Sequence, residues 1–499
     1  MRIVSLLLVL VMLLSFAACQ TTPVDPVETD GAADSTTPEE TTPVDNADIQ
    51  TGDQVYNAAD YLPQEKFDGE DIHIWVDGAD LSYDIPEGYF VEGDIVQEAV
   101  LKRNEQVATT YNVSLNWNID KAAGYRNQAE LRQSILAGDE YDMLCGPATY
   151  VNTQIVYGCF YDMAQSEYID FSQPWWMHKS NDALKIYDKQ YIATGYFDLM
   201  TIKRIAAIFF SGPMVTDYRL DNFYEVVEAG EWTWEKMLEY CEIVSEDVNQ
   251  DGIYDENDKF GLCGRWDLWA AETTTIGYQY VSLDANGNYT ITGITDDLLE
   301  IHEKIYPVIT ESNQYYSVYT YGVHPRFPGD RSDASIKMFT NNQILFFHTQ
   351  LSQAGSGSFR QYGEYGILPS PKYVEGQEDY ATATTPYVSG ICSTTGDLKI
   401  SSIILEALQL ESFNIVRPAY TIDALSYKYL SDPRAVDMLN LIFKNVTCEW
   451  SYNFGKAGVG TELCDALSTQ KYLASHFQKN KAAMLAKLND FVESINAMP

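Results

Sequence analysis

An α/β fold divided into two lobes is what this sequence predicts, on three observations. Apolar strands alternate with amphipathic helices from Asp71 to Cys145, the pattern of βαβ units, with ligands expected at the carboxyl ends of the strands. The 499 residues, less a leader and a tether, suit two lobes of ordinary size. From Trp232 to Gly264 a helix runs into an acidic loop and on towards Lys259-Phe-Gly-Leu.

The chain begins with Arg2, an apolar run from Ile3 to Phe16, and Ala17-Ala18-Cys19. A charged start, a short apolar core and small residues at the end make a signal peptide, and the run is too short to span a bilayer comfortably. Phe16-Ala-Ala-Cys19 looks like a bacterial lipobox, which implies a diacylglyceryl group on Cys19 and anchoring to the outer face of the cell membrane. Residues 20–66 follow as a tether. Its main part, Gln20–Asp53, holds no Lys or Arg and almost no large apolar residue, so it cannot bury enough surface to offset its chain entropy. As a flexible coil it reaches roughly 30 Å.

Composition narrows the partners. With 32 Lys and Arg against 72 Asp and Glu the net charge is −40, which argues against nucleic acid and against a polybasic membrane contact. Tyr 36, Phe 20 and Trp 9 give an aromatic-rich chain. Aromatic faces stack on sugar rings, so the composition favours a carbohydrate ligand, although cores account for most of these residues. After Cys19 come Cys145, Cys159, Cys241, Cys263, Cys392, Cys448 and Cys464. An odd number without CxxC, in apolar surroundings, reads mostly as buried free thiols.

The elements follow in order. Asp71–Val76 is a strand, Gly93 to about Tyr111 a helix, Val113–Trp117 a strand, Ala129–Ala137 a helix and Tyr141–Cys145 a strand. Tyr168 to Trp176 carries two tryptophans, of which at least one packs against the sheet. Lys203–Phe210 is an apolar strand. In the central unit Thr233 caps a helix with Glu235 in its first turn. Trp234, Met237, Leu238, Cys241 and Val244 share one face. The loop after it places Asp247, Asn249, Asp251, the Ile253 carbonyl, Asp255 and Asp258 at EF-hand ligand positions, with Gly252 at the turn. Asp258 stands where that motif prefers Glu. The loop therefore reads as a structural Ca2+ site, the alternative being an acidic loop closed by Asx turns. Trp266-Asp267-Leu-Trp269 comes directly after a strand; two indole faces and an acceptor for vicinal hydroxyls suit a sugar. Asn341–Phe347 is a strand whose end brings His348 within reach of a cleft. Asp432-Pro433 starts a helix through Lys444, Trp450-Ser-Tyr452-Asn453 is a candidate cleft loop with Trp450 as its ligand residue, and Lys471–Ile495 closes the chain as helix.

Several of these stretches resemble one family. Trp232-Thr-Trp with the acidic loop and Lys259-Phe-Gly-Leu, Gly93-Asp with Arg103-Asn and Tyr111-Asn-Val, Gly138-Asp-Glu-Tyr-Asp, Tyr168–Trp176, and Tyr365–Tyr373 are similar to the extracellular solute-binding proteins, family 1, of carbohydrate ABC importers, the maltodextrin-binding-protein class. The resemblance implies a type II periplasmic-binding-protein (Venus flytrap) fold with a cleft between lobes and three crossovers, near Asp198, Pro369 and Pro418. Lobe 1 would be 67–198 with 370–416, and lobe 2 199–369 with 417–499. It implies that Tyr150, in the loop after a strand, lines the cleft, and that Asp198 accepts ligand hydroxyls at the hinge. The implied function is capture of a carbohydrate, an oligosaccharide, by a monomer that hands it to membrane permease subunits without chemistry.

The sequence holds no GxSxG, HExxH, Walker A or GxGxxG. Two alternatives remain: a secreted glycoside hydrolase, because acids and aromatics are plentiful, and a dockerin-like scaffold module, because of the calcium-type loop, although such modules carry paired loops and this sequence has one.

Overall fold

The computed structural model describes residues 55–77, 94–120, 128–138, 141–265, 271–319, 331–421 and 432–498. Cys19, the Gln20–Asp53 stretch, and Trp266, Asp267 and Trp269 lie outside the described residues.

The strands in chain order are β1 (Glu70–Asp77), β2 (Val113–Asp120), β3 (Met143–Pro147), β4 (Ala206–Ser211), β5 (Phe260–Arg265), β6 (Val281–Leu283) and β7 (Tyr289–Ile291). They continue as β8 (Tyr315–Tyr319), β9 (Ile344–Gln350), β10 (Tyr365–Leu368), β11 (Thr382–Ala383), β12 (Tyr387–Ile391) and β13 (Val446–Thr447). Of the two larger sheets, the first has the order β12-β3-β1-β2 and the second β10-β4-β9-β5-β8, while β11 pairs with β13 and β6 with β7 in two-stranded sheets. In the first, β1 runs parallel to β2 and β3, with Ile74 opposite Met143, and β12 returns antiparallel with Tyr387 opposite Pro147. In the second, β5 runs parallel to β8 and β9, while β4 is antiparallel to β9 and β10. All five residues of β3 and all six of β4 are buried, as parallel and mixed sheets covered on both faces require.

Local chemistry sets the helices. Asp94 accepts from the backbone N–H of Val96 and Gln97, starting the helix Ile95–Tyr111, which ends where Asn112 turns left-handed at φ 49°. Its inner face buries Ala99, Val100, Val107, Tyr111 and the whole of Arg103. The Arg103 guanidinium is held by Ser412 Oγ at 3.1 Å and lies 4.9 Å over the Phe197 ring. Thr233 Oγ1 accepts from Lys236 N at 3.2 Å and starts the helix Trp234–Val244, which buries Trp234, Met237, Tyr240, Cys241 and Val244. This helix lies directly on β5. A Cβ at Gly261 would sit 2.2 Å from Cys241 Cβ, so only glycine allows the approach.

The two expected tryptophans both turn inward. Trp175 Nε1 donates to Glu406 Oε1 at 2.7 Å and Trp176 Nε1 to Oε2 at 3.0 Å. Glu406 lies on the helix Leu398–Glu411 and is buried. Removal from water pushes its carboxyl up to about 8, against the pull of the two indole N–H groups.

Two segments differ from expectation. Residues 55–66, counted with the tether, pack on the body. Tyr56 meets Trp175 and Phe413 edge-on, Tyr56 and Asn414 exchange backbone-to-amide hydrogen bonds at 3.0 and 2.8 Å, and Leu62 is in the core. The aromatic pair Tyr56 and Tyr61 supplies the apolar surface that the Thr/Pro stretch lacks. The carboxyl-terminal region, counted with lobe 2, joins a second core instead. Trp450, Phe454, Leu463, Phe477 and Leu488 cluster with Leu144 and Ile155 as well as with Tyr280 and Leu298. All seven cysteines among the described residues are buried and free of disulfides.

Candidate functional site

Where the strands of both sheets end, the chain builds a cavity of ≈ 260 Å³. From the first sheet it receives Pro147 at the end of β3, Tyr150 in the following turn, and Thr384 to Pro386 leading into β12. Arg204 enters just after the helix Leu199–Lys203. From the second sheet come Arg265 at the end of β5 and Gln350 at the end of β9, with Ala271 nearby. A third wall is the short helix Trp450–Asn453 and its cap, presenting Glu449, Tyr452 and Asn453. A crevice outside the carboxyl ends of strands is the expected place for a ligand in α/β sheets.

The polar groups of this wall are individually held. Glu449 Oε1 accepts from Tyr280 N at 2.9 Å, and Oε2 accepts from Ser451 Oγ at 2.9 Å and Tyr452 N at 2.5 Å. Burial pushes its carboxyl up to about 7, against those donors. Asn453 donates its amide to the Glu449 carbonyl at 2.8 Å, while its Oδ1 is buried without a hydrogen-bond partner. A buried acceptor left unpaired is costly unless a ligand satisfies it. The Arg204 guanidinium lies 4.7 Å over the Tyr387 ring. Tyr150 and Tyr452 are both partly exposed in this wall.

A larger concavity of ≈ 800 Å³ lies beside Pro213, Arg219, Tyr224, Glu364 and Arg434. Its lining comes from β4, β10 and their helices, all on the side of the second sheet. A ligand there would gain nothing from closing two lobes.

The residues singled out from the sequence fall in different places. Tyr150 lines the cavity. Arg265 and Ala271, on either side of Trp266, Asp267 and Trp269, also line it. Asp198 is fully buried and accepts from Ser389 Oγ on β12 at 2.7 Å; it is tied to the first sheet and is not part of the cavity wall. His348 is likewise buried, its Nε2 3.1 Å from Glu272 Oε1, which also accepts from Ser370 Oγ at 2.9 Å. Gln350, two residues further along β9, takes the place in the wall.

Trp450 stacks on Tyr289 at 4.8 Å and donates Nε1 to the Lys185 carbonyl at 2.9 Å. The reason is helical spacing: Glu449, Tyr452 and Asn453 share one face, and Trp450 turns to the other. The cleft loop expected at 450–453 is present in the wall, with Tyr452 and Asn453 rather than Trp450 facing the cavity. Arg204, Glu449 and Thr384 carried no sequence signal, because they converge from separate stretches of chain.

The 247–258 loop is closed by its own hydrogen bonds. Asp258 is fully buried and accepts from Val248 N and Asp255 N, both at 2.9 Å. Asn249 Oδ1 accepts from Asp251 N at 3.0 Å, Asp251 Oδ1 from Ile253 N at 2.7 Å, Asp255 Oδ1 from Asn257 N at 2.8 Å, and Asp247 Oδ2 from Gly252 N at 2.8 Å. Among the described residues no three His, Cys, Asp or Glu gather as a metal-holding group. One oxygen, Asp247 Oδ1, is buried without a partner. These bonds are those of an Asx-turn loop.

Among the described residues no helix is long and apolar enough to cross a membrane. No family model and no curated protein matches the chain. Solved structures do. The galacto-N-biose/lacto-N-biose I-binding protein of an ABC transporter from Bifidobacterium longum, in complex with lacto-N-biose, is similar at TM-score 0.57 and 11% identity, over 85% of this chain and 98% of that one. The GacH receptor of Streptomyces glaucescens, studied unliganded and with acarbose, is similar at TM-score 0.51 and 11% identity, over 86% and 100%. An ABC substrate-binding protein from Listeria monocytogenes in complex with cycloalternan is similar at TM-score 0.50 and 11% identity, over 85% and 100%. At such identity the likeness is one of fold, and the chain has the two-lobed periplasmic-binding-protein fold of type II.

Proposed function

We propose that this protein is the substrate-binding component of a carbohydrate ABC importer, tethered outside the cell membrane through a lipid on Cys19. It captures a sugar by lobe closure and hands it intact to permease subunits. The observation that carries the reading is the cavity whose walls come from both sheets, with Tyr150 and Tyr452 as ring-stacking faces and Asn453 Oδ1 as an unsatisfied acceptor for a hydroxyl. A ligand that touches both lobes prefers the closed state, which is what a hinged capture device needs. The three similar structures, an ABC-transporter binding protein with lacto-N-biose, a receptor with acarbose and a substrate-binding protein with cycloalternan, support the same reading. At ≈ 260 Å³ the cavity falls just below the usual range of about 300–1,000 Å³ for small-molecule pockets, which favours one or two rings at a time over a long chain.

The experiment is a thermal-shift screen over mono- and oligosaccharides, followed by calorimetry and analysis of the recovered sugar. A saccharide that binds and returns uncleaved supports the reading; one that returns cleaved replaces it with a glycoside hydrolase. The observation favouring the hydrolase is the raised carboxyl of Glu449, the pattern of a general acid. Both of its oxygens, however, are engaged by Tyr280, Ser451 and Tyr452.

A structural calcium ion in the 247–258 loop is a second proposal. It rests on the ligand spacing and on the buried, unpartnered Asp247 Oδ1, against a loop already closed by Asx turns. Sensitivity of the melting temperature to chelator decides between them.

A further inference from the structure

Asp284-Ala-Asn-Gly287-Asn288 is a turn sequence. Asp284 Oδ1 accepts from the backbone N–H of Asn286 at 2.8 Å and of Asn288 at 2.9 Å, and Gly287 takes a left-handed φ of 79°. The strands on either side, β6 and β7, pair with Leu283 opposite Tyr289. This hairpin lies in the chain between β5 and β8, two strands of the second sheet. Tyr289 nevertheless reaches chain that belongs with the first sheet. Its hydroxyl accepts from Tyr187 N at 2.8 Å, and its ring meets the Tyr187 ring at 4.8 Å. Tyr187 leads to Ala193, which bridges Ser389 of β12, and its neighbours Leu184 and Ile186 cluster with Leu144 and Val388. The backbone of Tyr187 has φ 56°, which a bulky side chain rarely adopts. Such a conformation persists where surrounding contacts over-determine it, and the Tyr289 hydroxyl is one of those contacts.

The Tyr289 ring also stacks on Trp450, at 4.8 Å and 28° between planes. Trp450 Nε1 donates to the carbonyl of Lys185 at 2.9 Å, two residues before Tyr187, and Trp450 N donates to Gln279 Oε1 at 2.8 Å, two residues before β6. Trp450 is thus gripped by chain from both sheets. It stands behind the short helix whose cap and front, Glu449, Tyr452 and Asn453, form the third wall of the cavity. Tyr289 itself does not line the cavity. Resting on the reading of the cavity as a saccharide site, we infer that Tyr289 is a positioning residue for it: acting through Trp450, its ring and hydroxyl keep the third wall in register with both lobes and so fix where Tyr452 and Asn453 meet the sugar. Groups held in one arrangement beforehand cost less to order when the sugar arrives.

The test is calorimetry on the full secreted body, with the tightest binder to wild type among maltose, lactose, lacto-N-biose and acarbose as the probe. Tyr289→Leu, which loses the stacking face and the hydroxyl, should weaken the probe by about tenfold or more. Tyr289→Phe, which keeps the face, should bind between that variant and wild type. Melting temperatures near wild type exclude a general folding defect, and if Tyr289→Leu does not fold, Tyr289→Phe carries the same measurements. The readout specific to positioning is coupling. In a Tyr452→Ala background the second substitution at Tyr289 should cost much less than it does alone, because the face it positions is gone. In a Tyr150→Ala background, on another wall, it should cost its full amount. Equal cost in both backgrounds overturns the inference and leaves the importer reading standing, as does an affinity unchanged by substitution at Tyr289. If none of the four saccharides binds wild type, the saccharide reading falls and takes this inference with it.

Discussion

Glu406 offers a perturbation whose effect can be worked through. Its two oxygens each take an indole N–H, from Trp175 at 2.7 Å and Trp176 at 3.0 Å. Burial nevertheless holds its carboxyl at about 8, against 4.5 for the free group. A carboxyl raised in the folded state binds its proton more tightly there than in the unfolded chain. The stability this contributes is complete below the unfolded value and is lost as pH rises through the folded one. At 1.36 kcal/mol for each tenfold change in proton affinity, the loss between pH 4.5 and 8 is at most about 5 kcal/mol. Glu406→Gln removes the titration. It also replaces one acceptor with a donor facing an indole N–H, which costs about 1–3 kcal/mol for a buried group left unsatisfied. Urea unfolding of wild type and variant at several pH values, followed by tryptophan fluorescence, is the assay. The variant should be clearly less stable at pH 5, and the gap should narrow or reverse by pH 8. A gap that is the same at every pH would refute the reasoning and leave Glu406 charged throughout.

Other outcomes follow from the same structure. Tyr150→Ala and Tyr452→Ala should each weaken the best saccharide by about 1–3 kcal/mol in calorimetry, from loss of an aromatic face, and unchanged affinity in both would mean that the ligand sits elsewhere. Gly261→Ala should destabilise by about 1–3 kcal/mol or more, since its methyl meets the Cys241 backbone as well as its side chain; a denaturation midpoint equal to wild type would show that the helix moves off β5 freely. Chelator should lower the melting temperature if the 247–258 loop holds calcium, with Asp247→Ala abolishing the response, whereas a melting temperature indifferent to chelator leaves the Asx-turn loop as the complete description. Cys19→Ala should move the protein from the membrane fraction to the medium or leave it unprocessed, and a variant that still fractionates with membranes excludes the lipid.

Much of the fold was legible because it is written in local patterns. The Thr233 cap, the apolar face from Trp234 to Val244 and the alternation from β1 to β3 are each set by residues close in sequence. The site was less legible, for a physical reason. Tyr150 lines the cavity, and it directly follows the buried strand β3, in the loop to which the family resemblance pointed. Arg204, Thr384 and Glu449 become neighbours only after the chain has crossed between the sheets, so no spacing records them. Burial misled in the other direction. Asp198, His348 and Trp450 are the polar and aromatic types that binding sites use, but each has its partners inside: Ser389, Glu272 and Tyr289. The amphipathic turn at 450–453 needed its phase, not only its composition, to show that Tyr452 faces the cavity.

The seven buried thiols have a use as timekeepers. Burial pushes those of Cys145, Cys241, Cys263, Cys392 and Cys448 well above their ordinary value, so almost no thiolate is available to an alkylating reagent while the fold is intact. With no disulfide to break or reshuffle, modification starts only when a core opens. Cys145 on β3 and Cys392 just after β12 report the first sheet, Cys241 and Cys263 the contact between helix and β5 in the second, and Cys464 the carboxyl-terminal helices. Mass spectrometry of pulse-alkylated protein would therefore resolve the order in which the two sheets come apart, using labels that the chain already carries.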